Sequence, residues 1–195
     1  MNRLTVLRAV NRPVTSWKNL GGKTAEVAIS PAGCGLEEFD WRISMASVTA
    51  PGAFSHFGNV DRTLAVISGQ LGLAFEHQSE VVRLTCDSQP YQFSGEAPAV
   101  GTPISGHVVD LNLMVRRGRW SGTMERADGS EAAEITLRSH CAIIVFAGEG
   151  RARWRENNTV LQAFDAIRMD DAQNELIELE SRKPIYLVSL SPIPH

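Results

Sequence analysis

Two short stretches place an arginine among hydroxyl, amide and carboxylate groups at every second position. That is the spacing at which a strand gathers side chains on one face. In Trp41-Arg42-Ile43-Ser44-Met45-Ala46, Arg42, Ser44 and Ala46 oppose Trp41, Ile43 and Met45. In Asp110-Leu111-Asn112-Leu113-Met114-Val115-Arg116, Asp110, Asn112, Met114 and Arg116 oppose Leu111, Leu113 and Val115. A guanidinium fork among such groups is suited to a carboxylate or phosphate. The plainer alternative is a solvated face on which Arg and Asp pair across strands. Several such faces on one barrel would instead enclose a polar ligand cavity.

Other reactive groupings are weaker. Gly22-Lys23-Thr24 looks like the end of a phosphate loop, G-x-x-x-x-G-K-[ST]. The first glycine of that motif would fall at position 17, which is Trp17, and the segment before it is polar and holds Pro13. Ser55 and His56 are a nucleophile and a base, but neighbours on a strand point apart. Cys34, Cys86 and Cys141 are odd in number, far apart and without a C-x-x-C, which argues against a disulfide framework or a zinc site. The run Arg151-Ala152-Arg153-Trp154-Arg155 reads as a solvated strand face, since no wider basic patch supports nucleic-acid binding.

The whole chain sets the frame. It has 195 residues, 43% hydrophobic and 21% charged, with a net charge of −3. This is the composition of a soluble globular protein with core enough to fold without staples. Neither nucleic acid nor an anionic membrane is an expected partner. Leu4 to Val10 is broken by Thr5 and Arg8, so it is neither a signal peptide nor a membrane span, and a cytoplasmic location is expected.

The elements that must position these groups read as strands. Candidates are 41–47, 63–68, 70–75, 108–116, 135–137, 141–146, 163–169, 175–180 and 185–190, all short, apolar and bounded by turn formers. Residues 24–29 and 126–133 are candidate short helices. Ala65-Val66-Ile67-Ser68-Gly69-Gln70 matches Ile144-Val145-Phe146-Ala147-Gly148-Glu149, and an apolar stretch starts 12 residues after each glycine, at Val81 and Val160. The expected architecture is all-β, with two similar units over 1–117 and 118–195 in one compact chain.

Four motifs point further. W-K-N-L-G-G-K-T-A-E-V from Trp17, F-D-W-R-I-S-M-A from Phe39, G-A-F-S-H-F-G-N-V-D-R-T-L from Gly52 and V-D-L-N-L-M-V-R-R-G from Val109 resemble the HutD/Ves family. The resemblance runs from about residue 3 to the end and is strong over 17–116. It implies a cupin-like double-stranded β-barrel, a bicupin here, and a small-molecule-binding, regulatory role in histidine utilisation. The family usually has three glycines after W-K-N. Leu20 replaces the first, and either packs beneath the loop or narrows a pocket.

Many cupins hold a metal through H-x-H-x(3,4)-E-x(6)-G. Counting back from Gly69, the metal-binding glutamate would be Arg62, and the histidine positions offer His56 with Gly58 or Ser55 with Phe57. Counting back from Gly148 gives Cys141. A guanidinium repels a cation, so the metal site reads as lost and no cofactor is expected. His56, His107 and Asp110 could form a residual site, but no ligand spacing supports it. The expected ligand is a small carboxylate metabolite such as urocanate, formiminoglutamate or formylglutamate. Arg62 and Arg42 would neutralise it, Asn112, Ser44, Thr24 and Glu26 would read its polar groups, Glu26 accepting from an amide or imidazole N–H, and Ser55, His56, Asp110 and Arg116 complete the barrel set. Lys18, Asn19, Thr24 and Glu26 would line the mouth, with Trp17 and Phe54 as rim or core packing. A metal-free lyase, isomerase or hydrolase using Lys18, Glu26 and His56 is the alternative, and a protein-binding scaffold is a third. A homodimer through exposed strand edges is possible for such a fold.

Overall fold

The structure is a computed structural model and describes residues 3–17 and 20–194. Apart from one 3₁₀ turn at Ala9–Asn11, its regular elements are strands. Among the described residues no helix is long and apolar enough to cross a membrane.

The chain packs as two units. The first unit, Pro13–Trp120, contains β2 (Val14–Ser16), β3 (Gly22–Ser30), β4 (Trp41–Val48), β5 (Gly52–Ala53), β6 (Val60–Ser68), β7 (Gln70–Phe75), β8 (Val82–Thr85), β9 (Tyr91–Ser94), β10 (Ala99–Pro103) and β11 (Val108–Arg116). Its two antiparallel sheets have the orders β2-β3-β4-β11-β6-β9 and β5-β10-β7-β8. The second unit, Met1–Arg12 with Ser121–His195, contains β1 (Arg3–Leu7), β12 (Trp120–Ala127), β13 (Ser130–Thr136), β14 (Cys141–Phe146), β15 (Gly150–Trp154), β16 (Asn157–Leu161), β17 (Ala166–Asp170), β18 (Leu176–Ser181) and β19 (Ile185–Pro192). Its sheets have the orders β1-β17-β14-β19-β12 and β13-β18-β15-β16. Residues 3–7, which the sequence reading kept with the first unit, pair instead with β17, Leu7 opposite Ala166.

The two helix readings are corrected. Residues 24–29 lie within β3, and 126–133 fall across β12 and β13. Both stretches are too short for propensity to decide, and cross-strand pairing on β4 and β18 wins.

The strand repeat is a repeat of pairings. β6 pairs with β11 and β9, and β7 with β8 and β10; β14 pairs with β19 and β17, and β15 with β16 and β18. The register differs by one residue from the sequence match. Leu64 and Val66 face the core of the first unit, together with Leu71 and Leu73. Ala142, Ile144 and Phe146 face the core of the second, with Ala152 and Trp154. Leu64 therefore shares the inward face with Ala142 and Ile144, whereas the motif match aligned it with Ile143, on the opposite face. A one-residue slip exchanges the two faces of a strand.

That correction separates the two interiors. In the second unit, Ala142, Ile144 and Phe146 stand opposite Ser189, Leu187 and Ile185. In the first, Arg62, Leu64 and Val66 stand opposite Met114, Asn112 and Asp110. The same pairing scheme thus encloses an aliphatic core in one unit and buried polar groups in the other.

Candidate functional site

Strand pairing lays the inner face of the first unit out in rows. Arg42, Met114 and Arg62 form one row across β4, β11 and β6. Glu26, Ser44 and Asn112 form the next, and Thr24, Ala46 and Asp110 the third. These groups line a cavity of about 870 Å³ between the two sheets. The other sheet contributes Leu71 and Gly101, where a Cβ would come within 2.9 Å of the Phe54 ring. Trp17 and Leu36 also line the cavity.

The polar groups are not on a solvated face. Arg62 is 4% exposed, Asp110 2%, Asn112 7% and Ser44 3%. The alternative reading of an exterior, water-facing strand surface is therefore set aside for these four.

Arg62 is the least ordinary of them. Its guanidinium carbon sits 4.7 Å from the centre of the Phe54 ring and 5.3 Å from that of Phe93. Its Nη1 donates to the Ser55 carbonyl at 3.3 Å, and its Nε has no partner among the described residues. Burial pushes its pKa down to about 10; Asp110 opposes that shift and Arg42 adds to it. Two aromatic faces stabilise a desolvated cation, but they leave its hydrogen-bonding edge free.

Arg42 is different. Its Nε donates to Glu26 Oε2 at 2.9 Å, so its charge is already matched. Asp110 is pushed up to about 7, chiefly by burial, with Arg62 and the Ala46 backbone pulling the other way. The cavity holds two guanidinium and two carboxyl groups, yet Arg62 and Asp110 make no contact short enough for an ion pair.

The signature loop closes one side. Trp17 Nε1 donates to Thr24 Oγ1 at 2.8 Å, and the Trp17 N–H donates to the Gly22 carbonyl at 2.9 Å. A Cβ at Gly22 would meet the Ser47 carbonyl at 2.7 Å and the Trp17 ring at 2.9 Å, so glycine is needed for that close approach. Leu20 does neither thing expected of it. It is 84% exposed, does not line the cavity, and adopts φ 57°. The position asks for a left-handed backbone, which is what a glycine supplies.

Of the residues read from sequence, Thr24, Glu26, Arg42, Ser44, Ser55, Arg62, Asp110 and Asn112 come together at the cavity. Lys18 and Asn19 lie outside the described residues. His56 does not join them; it borders a separate groove with Phe75 and Glu76. Arg116 does not either. Although it alternates with Asp110, Asn112 and Met114, it is at the strand end, where its Nε and Nη2 donate to the Phe39 and Glu37 carbonyls. His107 is held by Ser47 at 2.6 Å, so His56, His107 and Asp110 are not gathered into one site. Cys34 and Leu36 on the wall, and Phe93 beside Arg62, were not found from sequence, because the first two reach the cavity from a loop and Phe93 is set opposite Arg62 by the pairing of β9 with β6; Phe54, expected as rim or core packing, lies over the Arg62 guanidinium. In the second unit, the basic run is matched by acids: Arg153 pairs with Glu178 and Arg155 with Glu175.

Comparison with known proteins bears on the family and the fold. The chain is 29% identical over 204 residues to an uncharacterised 21.2 kDa protein in the hutC 3′ region of Pseudomonas putida, covering 97% of this chain and 98% of that one. It is 32% identical over 183 residues to Protein Ves of Citrobacter koseri, covering 93% and 91%. The solved structure of HutD from Pseudomonas fluorescens SBW25 superposes with a TM-score of 0.82 at 26% identity, over 98% of this chain and all of that one. Bacterial pirin YhhW of Escherichia coli, at 9% identity and a TM-score of 0.65, shares the fold alone, which is cupin-like as expected. The HutD family model matches residues 9–187, and the chain belongs to the HutD family, which is associated with the histidine utilisation locus.

Proposed function

We propose that the first unit binds a small carboxylate-bearing intermediate of histidine breakdown, such as urocanate or formylglutamate, and that this binding restrains the expression or flux of the pathway. The observation that carries the reading is Arg62: a buried guanidinium at a cavity wall, with no carboxylate within ion-pair distance among the described residues. A buried charge left without a partner is costly, and a ligand carboxylate would supply the partner. Arg42 lies in the same row but is already paired with Glu26, so the uncompensated cation of the row is Arg62. The polar groups of Ser44, Thr24 and Asn112 are left to read the rest of the molecule. Association with the histidine utilisation locus favours intermediates of that pathway over other carboxylates.

The test is a thermal-shift panel of pathway intermediates, since a ligand of the folded state raises the melting temperature by mass action. At least one intermediate should stabilise the protein at millimolar concentration, and Arg62→Ala should remove the effect. A panel without any shift would sink the reading. Product formation in the same mixtures, followed by NMR, would replace binding with catalysis.

A further inference from the structure

Arg62 is not the only cavity group left with unused hydrogen-bonding capacity. Asn112, in the next row, is buried, lines the cavity, and its Oδ1 has no partner among the described residues. On one side it is flanked by Leu64, which has nothing to donate. On the other, Ser44 makes no hydrogen bond to that oxygen. One row beyond is the buried carboxyl of Asp110, between Ala46 and Val66. Arg62 offers donors; Asn112 Oδ1 and the carbonyl oxygen of the Asp110 carboxyl offer acceptors. The cavity is therefore polarised along the strands, from a donor end to an acceptor end. Same-face rows are spaced by about 6.8 Å, within the span of one small molecule.

The fold itself does not call for this polarity. In the corresponding strand pair of the second unit, the inner face carries Ser189, Leu187 and Ile185, opposite Ala142, Ile144 and Phe146, with neither an amide nor a carboxyl among them. A buried acceptor without a donor is destabilising, and an aliphatic pair serves the scaffold well, so the acceptors point to something that fills the cavity.

Resting on the carboxylate reading above, we infer that the ligand carries an N–H donor a few bonds from its carboxylate, received by Asn112 Oδ1 with Asp110 behind it. Asn112 is then a specificity residue. It rejects carboxylates of the same shape whose second polar group can only accept, because these leave its oxygen unpaired and face it with another lone pair.

Acetamido acids and their acetoxy counterparts test this on the full chain, because each pair differs by N–H against O. The probes are N-acetylglycinate, 3-acetamidopropanoate and 4-acetamidobutanoate against acetoxyacetate, 3-acetoxypropanoate and 4-acetoxybutanoate, titrated calorimetrically. At the best-fitting length the amide should bind at least about tenfold more tightly than the ester. Asn112→Leu should reduce that ratio below about threefold while Arg62-dependent binding of the ester persists. Should the variant not fold, the wild-type ratio alone decides. Equal affinity for amide and ester in the wild type overturns the inference and leaves the carboxylate reading standing. An unchanged ratio in folded Asn112→Leu also overturns it. If no carboxylate of either series or of the pathway binds, the carboxylate reading fails, and the inference with it.

Discussion

Arg42 and Arg62 stand on one face of a sheet, with one strand between them, on either side of Met114, and Glu26 pairs with Arg42 while no carboxylate among the described residues pairs with Arg62. Adjacent strands are spaced by about 4.8 Å, so the two backbones are roughly 10 Å apart. One cation is thus neutralised in advance, and the other is held in reserve. This asymmetry gives the two arginines different mutational signatures.

Replacing Arg62 by Met keeps much of the side-chain length and removes the charge. Carboxylate affinity should fall by about 10–100-fold, the loss of a charge-assisted hydrogen-bonded pair. The melting temperature without ligand should hold or rise, because a buried cation without a full partner costs stability. Titration calorimetry and thermal melts on the same preparation check both halves. A large loss of stability with affinity intact would contradict the assignment.

Glu26→Gln should act in the opposite direction. It removes the carboxylate held at 2.9 Å by Arg42 and frees that guanidinium for a ligand. Dicarboxylates should then bind several-fold more tightly, on the order of 3–10-fold, and monocarboxylates should gain less. Comparing glutarate with butyrate, wild type against variant, reads the difference.

Asp110 makes stability depend on pH with an unusual sign. Its carboxyl titrates near 7 in the folded chain, because of burial, against an ordinary value of 3.8. A raised pKa means that the folded state holds the proton more tightly than the unfolded chain. Its contribution is complete below about 3.8, declines as pH rises towards 7, and is flat above that. Asp110→Asn removes this slope. The melting-temperature difference, variant minus wild type, should therefore be larger at pH 8 than at pH 5.5. A carboxylate bound beside Arg62 favours the neutral form of Asp110 further, so wild-type affinity should weaken as pH rises above 7. A pH-independent difference would mean that Asp110 is not the titrating group.

Leu20 adopts φ 57° while 84% exposed. A non-glycine residue in that region is strained, and this one gains little burial in return. Leu20→Gly should stabilise the chain by about 0.5–1 kcal/mol, after the greater chain entropy of glycine is deducted. Denaturant titration measures this. Because Leu20 is not on the cavity wall, carboxylate affinity should be unchanged.

How much of this was legible beforehand differs from residue to residue. The strands 70–75, 108–116 and 141–146 match their observed limits, since each is an apolar run between turn formers. Arg62 was found by counting from Gly69, and its neighbours by period-two alternation along β4 and β11. Alternation failed at Arg116, because a strand end is free to turn its side chain to loop carbonyls that sequence does not locate. The motif repeat gave the right strands in the wrong register. Ala65-Val66-Ile67 and Ile144-Val145-Phe146 are apolar on both faces, so nothing in the letters marks which side is inside. The aromatic walls around Arg62 were illegible for another reason: Phe54 and Phe93 are 39 residues apart, Phe93 set opposite Arg62 by the pairing of β9 with β6 and Phe54 held after β5 by its N–H on the Ala99 carbonyl.

The pairing of β1 with β17 also bears on how the chain is made. Leu7 and Ala166 are opposite one another, with the whole first unit encoded between them. At ordinary ribosomal speeds, β1 waits roughly 10–30 seconds for its partner strand to be synthesised. Every strand of the Arg62 cavity is complete before that wait ends. The first unit, cavity included, can therefore assemble while the nascent second unit still lacks its β1–β17 edge.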